Sequence, residues 1–337
     1  MQASNHQDCA PQLSGKIPLQ LRIALISLLL GATSVLAQNF PSKPVRIIVP
    51  FATGASGDTV SRIIGPKLGE ALGQSIVVDN RPGGGGVVGA EVVAKSAPDG
   101  YTMLLGSPGP LALNPHLMPN IPYDATRDFS PVILIAMVPS ILLVTPALPV
   151  KSVKELIALA KARPGQLNYA STGSGSAPHL AGELFKLLTH TDIVHIPYRG
   201  SGAANTDLIA GQVMVMFDNI SSGLPYAKSG RLRGLAVTGS KRSALIPSLP
   251  TMVEAGVPGY EAGSWNALVV PAGTPKEIIT RLNAEIVKVL SIPEVRERIT
   301  GLGTEVVGGT PEQLGAFLQQ EYAKWGRTIK SAGIKLE

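Results

Sequence analysis

The chain has 337 residues, a formal net charge of +6 and 45% apolar residues, with 15% charged and 4% aromatic. That length exceeds one ordinary core and suits two α/β domains of about 120–180 residues each, and the apolar share argues against a disordered chain. The bases are scattered, with no Lys/Arg stripe and no interleaved aromatics, which argues against nucleic-acid binding.

Residues 1–37 read as a signal peptide rather than fold. Lys16 and Arg22 precede the apolar run Ile23–Leu30, and small residues lead to Val35-Leu36-Ala37, a small-x-small cleavage pattern. The run falls short of the ~20 residues of a spanning helix. Cleavage after Ala37 is expected, and the long stretch before Lys16 allows a start codon downstream of Met1. The mature chain loses Lys16, Arg22 and Asp8, so its formal charge falls from +6 to +5. Cys9 is the single cysteine and leaves with the leader. Cysteine catalysis, disulfides and thiolate metal sites are thereby excluded from the mature chain.

The mature chain alternates short β-branched runs with helical runs. Val45–Val49 reads as a strand and Thr59–Leu72 as a helix, weakened or kinked at Pro66. Ile76–Asp79 is a strand, Gly86–Lys95 a helix and Tyr101–Leu105 a strand. After Phe129 a second set is expected, beginning with strand Ile141–Thr145. Ser152 and Glu155 form a capping box for a helix that stops at Pro164-Gly165. Leu167–Ser171, Ile193–Tyr198, Val213–Phe217 and Leu232–Val237 read as strands, with helices near Pro178–Leu188 and Gly202–Ala210. Trp265–Val270 is a further strand. Thr274-Pro275-Lys276-Glu277 opens a helix with Thr274 as cap, and Thr310-Pro311-Glu312-Gln313 repeats that device. The alternation implies parallel sheets with right-handed crossovers.

Two loops stand out as ligand sites. Phe51, Thr53, Gly54, Ala55, Ser56 and Asp58 follow the first strand and open a helix. Such a loop exposes unpaired N–H groups at the positive end of a helix dipole, an anion site without a basic side chain. The plainer alternative is a βα turn capped by Asp58 or Ser56. Ser171, Thr172, Gly173, Ser174, Gly175 and Ser176, running to His179, repeat the logic. Each helix start contributes only about 0.3–1 kcal/mol, whereas micromolar binding needs about 8 kcal/mol, so closure around the ligand must supply the rest. Asp218 and Asn219 end a strand and either line the cleft or cap the next helix. Gly84, Gly86 and Gly89 match a G-x-G-x-x-G pattern, but the next strand ends without an acid, so a structural turn is preferred to a nucleotide site. No G-x-S-x-G elbow, Walker lysine or H-E-x-x-H motif occurs, and the histidines lack metal-ligand spacing.

The order Phe51…Gly54…Asp58, Asp79-Asn80-Arg81-Pro82-Gly83, Pro98-Asp99-Gly100-Tyr101, Asn114-Pro115, His195-Ile196-Pro197-Tyr198, Phe217-Asp218 and Pro271-Ala272-Gly273-Thr274-Pro275 resembles the Bug family. These are extracytoplasmic receptors of tripartite tricarboxylate transporters, and the likeness runs from about Phe40 to the C-terminus. The resemblance implies an α/β chain of the type II periplasmic-binding-protein fold, with two α/β lobes around a ligand cleft and two crossing segments. One lobe is expected over residues 38–139 and 264–337 and the other over 140–263, with hinges near Val138–Ser140 and Gly263–Trp265. It also implies a small carboxylate held by the two loops, with Asp218 and Asn219 lining the second lobe and Tyr198 and Arg199 as weaker candidates. Here Ala52 and Thr53 replace two family prolines and Ala55 a family glycine, so Ala55 is expected to narrow the backbone approach if it needs positive φ.

The expected function is therefore capture of a carboxylate by a monomeric periplasmic receptor, without catalysis or cofactor, and presentation to membrane permease subunits or a sensor kinase. A rival is an exported hydrolase using Ser174 or Ser176 with His179 or His195. The residues do not say which carboxylate binds.

Overall fold

In a computed structural model, the described residues are 40–198 and 200–334. The expected leader, its cleavage point after Ala37 and the candidate Arg199 lie outside them. The chain divides into the units Met1–Ser42 and Lys43–Glu337, and every element below belongs to the second.

Strand β1 (Val45–Val49) is β-branched at four of its five positions, and Val45, Ile47, Ile48 and Val49 are all fully buried. Helix α1 (Ser56–Leu72) starts three residues before the expected Thr59 and runs through Pro66 to a left-handed Gly73 cap. The backbone turns helical as soon as the loop ends, and the buried apolar face of the helix outweighs the N–H bond lost and the carbonyl crowded at Pro66. Strand β2 (Ile76–Asn80), helix α2 (Val87–Ala94) and strand β3 (Thr102–Gly106) complete the first βαβ layer, in which β2 and β3 both pair with β1 in parallel.

Strand β4 (Phe129–Val144) is the largest departure from expectation, which had only a short strand over Ile141–Thr145. Its first part pairs antiparallel with β9 (Gly263–Pro271), from Phe129 to Pro139, and with β10 (Glu305–Gly308). From Ser140 to Val144 it pairs instead with β7 (Val215–Asn219) and, from Ile141, with β8 (Arg233–Val237). Pro139 has no N–H to donate, a natural point for a strand to change partners. Helix α3 (Val153–Ala162), strand β5 (Asn168–Ser171), helix α4 (Ala177–Thr189), strand β6 (Val194–Pro197), helix α5 (Ser201–Ala210) and helix α6 (Ile220–Lys228) fill out the second sheet. The strand order is β2-β1-β3-β9-β4-β7-β5-β6, with β8 and β10 also on β4. The sheets are thus mixed, not parallel throughout: β9 runs antiparallel to β3, and β4 runs antiparallel to all its partners.

Two helix starts also differ from expectation. Ser152 Oγ accepts from Glu155 N at 3.2 Å, but the Glu155 carboxylate accepts from Lys151 N rather than closing the box on Ser152. Helix α7 (Lys276–Ser291) has Pro275 at its cap, because the Thr274 hydroxyl donates back to Pro271 O at 2.7 Å. By contrast, helix α9 (Pro311–Ala332), which follows helix α8 (Pro293–Thr300), has a complete capping box between Thr310 and Gln313. It also anchors the second crossing strand. Glu321 Oε2 accepts from Trp265 Nε1 at 2.9 Å and from Trp325 Nε1 at 3.1 Å, and Lys324 pairs with the same carboxylate. Both indoles are fully buried, so neither N–H is left unsatisfied.

Candidate functional site

A cavity of about 690 Å³ opens where the carboxyl ends of β1, β3, β5 and β7 face one another. Its volume falls within the range of small-molecule sites, and such crevices at strand carboxyl ends are where α/β sheets bind ligands. Phe51, Ala55 and Ser56 line it from the first loop, and Thr172, Gly173, Ser174, Gly175 and Ser176 from the second. Asn219 lines it from the end of β7, and Ser107, Asn114, Ser264 and Asn266 contribute from elsewhere in the chain. None of the described residues that line it carries a charge.

Thr53, Gly54 and Asp58 do not line the cavity. Asp58 is 2% exposed and folds the loop back on itself: its carboxylate accepts from Gly54 N at 2.9 Å and from Arg62 Nε at 2.9 Å. Arg62 reaches on to Asn80 Oδ1 at 3.0 Å, Asn80 Nδ2 donates to Phe51 O at 3.0 Å, and the Thr53 hydroxyl points at Asn80. Burial raises the Asp58 pKa, but the Arg62, Gly54 and Asn80 bonds outweigh it and hold the carboxyl below the usual range. Positive φ falls at Gly54 (+87°), whereas Ala55 is extended at φ −64° and ψ 157°. The alanine that replaces a family glycine therefore costs no backbone strain. Neither Asp58 nor Ser56 caps α1, whose cap residue is Ala55 with no side-chain bond.

The second loop is held from beneath by neutral groups. Ser171 is fully buried; its Oγ accepts from Gly173 N at 3.1 Å and lies 2.6 Å from His195 Nε2. His179 is 6% exposed, and its Nδ1 accepts from Gly175 N at 3.0 Å. The two imidazoles stack with centroids 3.9 Å apart. Burial lowers both histidine pKa values to about 4. Tyr169 stacks beneath them and donates to Glu183 Oε1 at 2.7 Å, which also pairs with Lys186. Ser171 and His179 thus shape the loop but do not line the cavity.

Asp218 also turns away from the cleft. It is fully buried and accepts from Ser201 Oγ at 2.6 Å, Asn205 Nδ2 at 2.8 Å and Asn219 N at 2.9 Å. Burial raises its pKa, against the lowering effect of those bonds. The Tyr198 hydroxyl donates to Asp207 at 2.8 Å and likewise stays out of the lining.

With the amides of Gly54, Gly173 and Gly175 bonded to internal acceptors, those left without one are others. Among the described residues, Ser56 and Gly57 at the start of α1, and Thr172 and Ser174 in the second loop, donate to no protein acceptor. Asn266 Nδ2 donates to Ser56 Oγ at 3.2 Å and sets the first helix start. Asn114 Nδ2 donates to Gly85 O at 3.0 Å and holds the glycine turn whose Gly84 and Gly85 line the cleft. Asn266 was legible as a polar residue inside the apolar run from Trp265 to Val270. Ser107, Ser264 and Ser201 carry no local signal. Of the serines in the rival hydrolase, Ser176 Oγ caps α4 by accepting from His179 N at 3.4 Å; the serine hydroxyl that lies against the His195 ring belongs to the fully buried Ser171.

Residues 60–334 match the model of the tripartite tricarboxylate transporter family receptor. An adipate-bound protein of R. palustris, Rpa4515, is 42% identical with a TM-score of 0.78, covering 88% of this chain and 99% of its own. The periplasmic binding protein BugD is 34% identical with a TM-score of 0.75, covering 88% and 100%. MatC from Rhodopseudomonas palustris, with bound malate, is 34% identical with a TM-score of 0.75, covering 86% and 100%. The fold is that of two-lobed periplasmic binding proteins.

Proposed function

Because the chain belongs to the tripartite tricarboxylate transporter receptor family, whose members are solute-binding receptors, we propose that it captures a small carboxylate between its lobes and delivers it to a transporter of that type. The ligand class is a di- or tricarboxylate, an acidic amino acid or an aromatic acid. The protein works outside the cytoplasmic membrane after cleavage near Ala37, as a monomer, by binding and hinge motion without bond making. The lobes are residues 38–139 with 264–337, and residues 140–263. The change of strand partners between Pro139 and Ser140, and the pairing of Pro139 with Gly263, support hinges at those points.

One observation carries the reading: the start of α1 and the loop leading into α4, each with amides free of protein acceptors, line one cavity whose described lining residues carry no charge. A carboxylate placed there receives neutral N–H donors and two dipole ends, and needs no counter-ion. Adipate and malate, the ligands of two similar proteins, are the first probes.

The test is a thermal-shift and calorimetric screen of the mature chain against adipate, malate, citrate, glutamate and nicotinate. A ligand at about 100 times its Kd stabilises the fold by about 2.7 kcal/mol, a shift of several degrees. Gly173→Asp, which sets a carboxylate in the cleft wall, removes the shift while the circular dichroism of the fold persists. A screen in which no carboxylate shifts the melting temperature, or a Gly173→Asp protein that binds as before, ends this reading.

A further inference from the structure

The second loop rests on a pair of histidines that the binding reading does not use. His179 Nδ1 faces the N–H of Gly175 at 3.0 Å. A peptide N–H only donates, so Nδ1 must carry the lone pair and the ring must be the neutral Nε2–H tautomer. Gly175 lies at φ +76° and lines the cavity. It sits one residue after Ser174, which lines the cavity and whose amide has no protein acceptor. The imidazole therefore holds the Gly175 N–H inward, next to a Ser174 N–H that has no protein acceptor.

We propose that His179 is a positioning residue for ligand capture: its neutral ring holds Gly175 so that the loop offers its outward amides to the ligand, and protonation of the ring releases both loop and ligand. The proposal rests on the carboxylate-receptor reading for its ligand arm. A protonated His179 presents an N–H to the N–H of Gly175, so the inward bond becomes a repulsion. The loop must then turn, and the outward amides lose their aim.

The charged and titratable groups around the ring weigh against its charge, Glu183 excepted. On α4, Lys186 disfavours a charged His179. From β6, His195 stacks on it at 3.9 Å, and each ring disfavours a charge on the other. Glu183 on α4 is the one nearby carboxylate, but its Oε1 is occupied by the Tyr169 hydroxyl and the Lys186 ammonium. Burial is the larger cause and Lys186 the lesser, and together they lower the His179 pKa to about 4.

The experiment compares the mature wild type with His179→Leu, which keeps an apolar filler, and His179→Asn, whose Oδ1 stands where Nδ1 accepted but does not titrate. The first readout needs no ligand: the Gly175 amide proton shift in a ¹⁵N spectrum, followed from pH 7.5 to pH 3.5. In the wild type it moves with a midpoint near pH 4; in His179→Asn it keeps its hydrogen-bonded position through that range. The second readout is affinity for adipate and malate. At pH 7.5 His179→Leu binds roughly tenfold more weakly, and His179→Asn recovers most of that loss. Below pH 5 the wild type loses more affinity than His179→Asn. Protonation of the ligand is shared by both proteins and cancels in the comparison; a His195→Asn background removes the coupled titration of His195, and circular dichroism at each pH separates acid unfolding. Identical Gly175 titrations, or identical pH profiles of affinity, in wild type and His179→Asn overturn the proposal. Failure of the wild type to bind any probe at pH 7.5 defeats the receptor reading instead, and the Gly175 titration still decides the loop.

Discussion

The two loops that face each other across the cleft do the same job with opposite chemistry. The first is folded by a buried carboxylate: Asp58 holds Gly54 N and is itself held by Arg62, which is tied to Asn80. The second is folded by neutral acceptors: the Ser171 hydroxyl holds Gly173 N, and the His179 imidazole holds Gly175 N. In both, the glycine amides that the sequence offers as ligand donors are turned inward. Their neighbours, Ser56 and Gly57 in one loop and Thr172 and Ser174 in the other, are left for the ligand. A loop shaped for an anion needs some amides pointing in to fix the rest pointing out, and the inward acceptors determine what condition dissolves it.

Acid should separate the two loops most widely. His179 and His195 have folded pKa values lowered to about 4, while an unfolded histidine titrates near 6.5. Between these values the unfolded chain binds more protons than the folded one, so stability falls as pH drops through that window. Above about pH 6.5 their contribution is complete. Asp58 behaves differently: its folded carboxyl is held below the usual range, so its contribution is lost only at still lower pH, as its own proton binds. Urea unfolding between pH 7.5 and 4 should show a loss of a few kcal/mol, and His195→Asn should flatten it. A stability that is level from pH 7 to 4.5 would mean that the histidines are not buried neutral.

The first loop breaks more readily by substitution. Asp58→Ala leaves the Gly54 amide without an acceptor and Arg62 without its buried partner, at a cost of about 2–3 kcal/mol. Arg62 is half exposed and can turn to water, which keeps the cost from rising further. The midpoint of urea unfolding measures the loss, and ligand affinity should fall with it because Phe51 and Ala55 line the cavity on either side of the freed segment. If affinity survives while stability drops, the first loop is only a structural turn and the grip lies in the second.

Much of this was legible in the sequence. Both loops declare themselves as strand, small-residue loop and helix start, and the strands around them were placed within a residue or two. Two kinds of information were not local. The length of β4 was hidden because its two parts serve different sheets, and Pro131 and Pro139 interrupt any simple strand pattern. In the sequence, Asp58, His179 and Asp218 read as candidate ligand contacts, with a cap as the alternative for the two aspartates, and their hydrogen bonds put them beneath the loops. Spacing places a residue in a loop, but only the fold shows whether its side chain faces the cavity or the interior, and all three are turned to the interior by bonds to backbone amides.

The smallest expected effect concerns the helix caps, where the loops differ again. Helix α4 begins with Ser176, whose Oγ accepts from His179 N, whereas α1 begins with Ala55 and has no side-chain cap. Ala55 is already in the extended conformation that cap residues adopt, so Ala55→Ser fits without strain. Its hydroxyl would accept from the amide of Gly57 or Asp58, for a gain of about 0.5–1 kcal/mol. The Gly57 amide is among those left for the ligand, and Gly57 lines the cavity. Ala55→Ser should therefore raise the melting temperature and lower carboxylate affinity together, a stability gain taken from the binding site. A protein in which both rise would place the ligand away from the start of α1. The start of α1, unlike that of α4, has no side-chain cap, so its first amides remain open to a carboxylate.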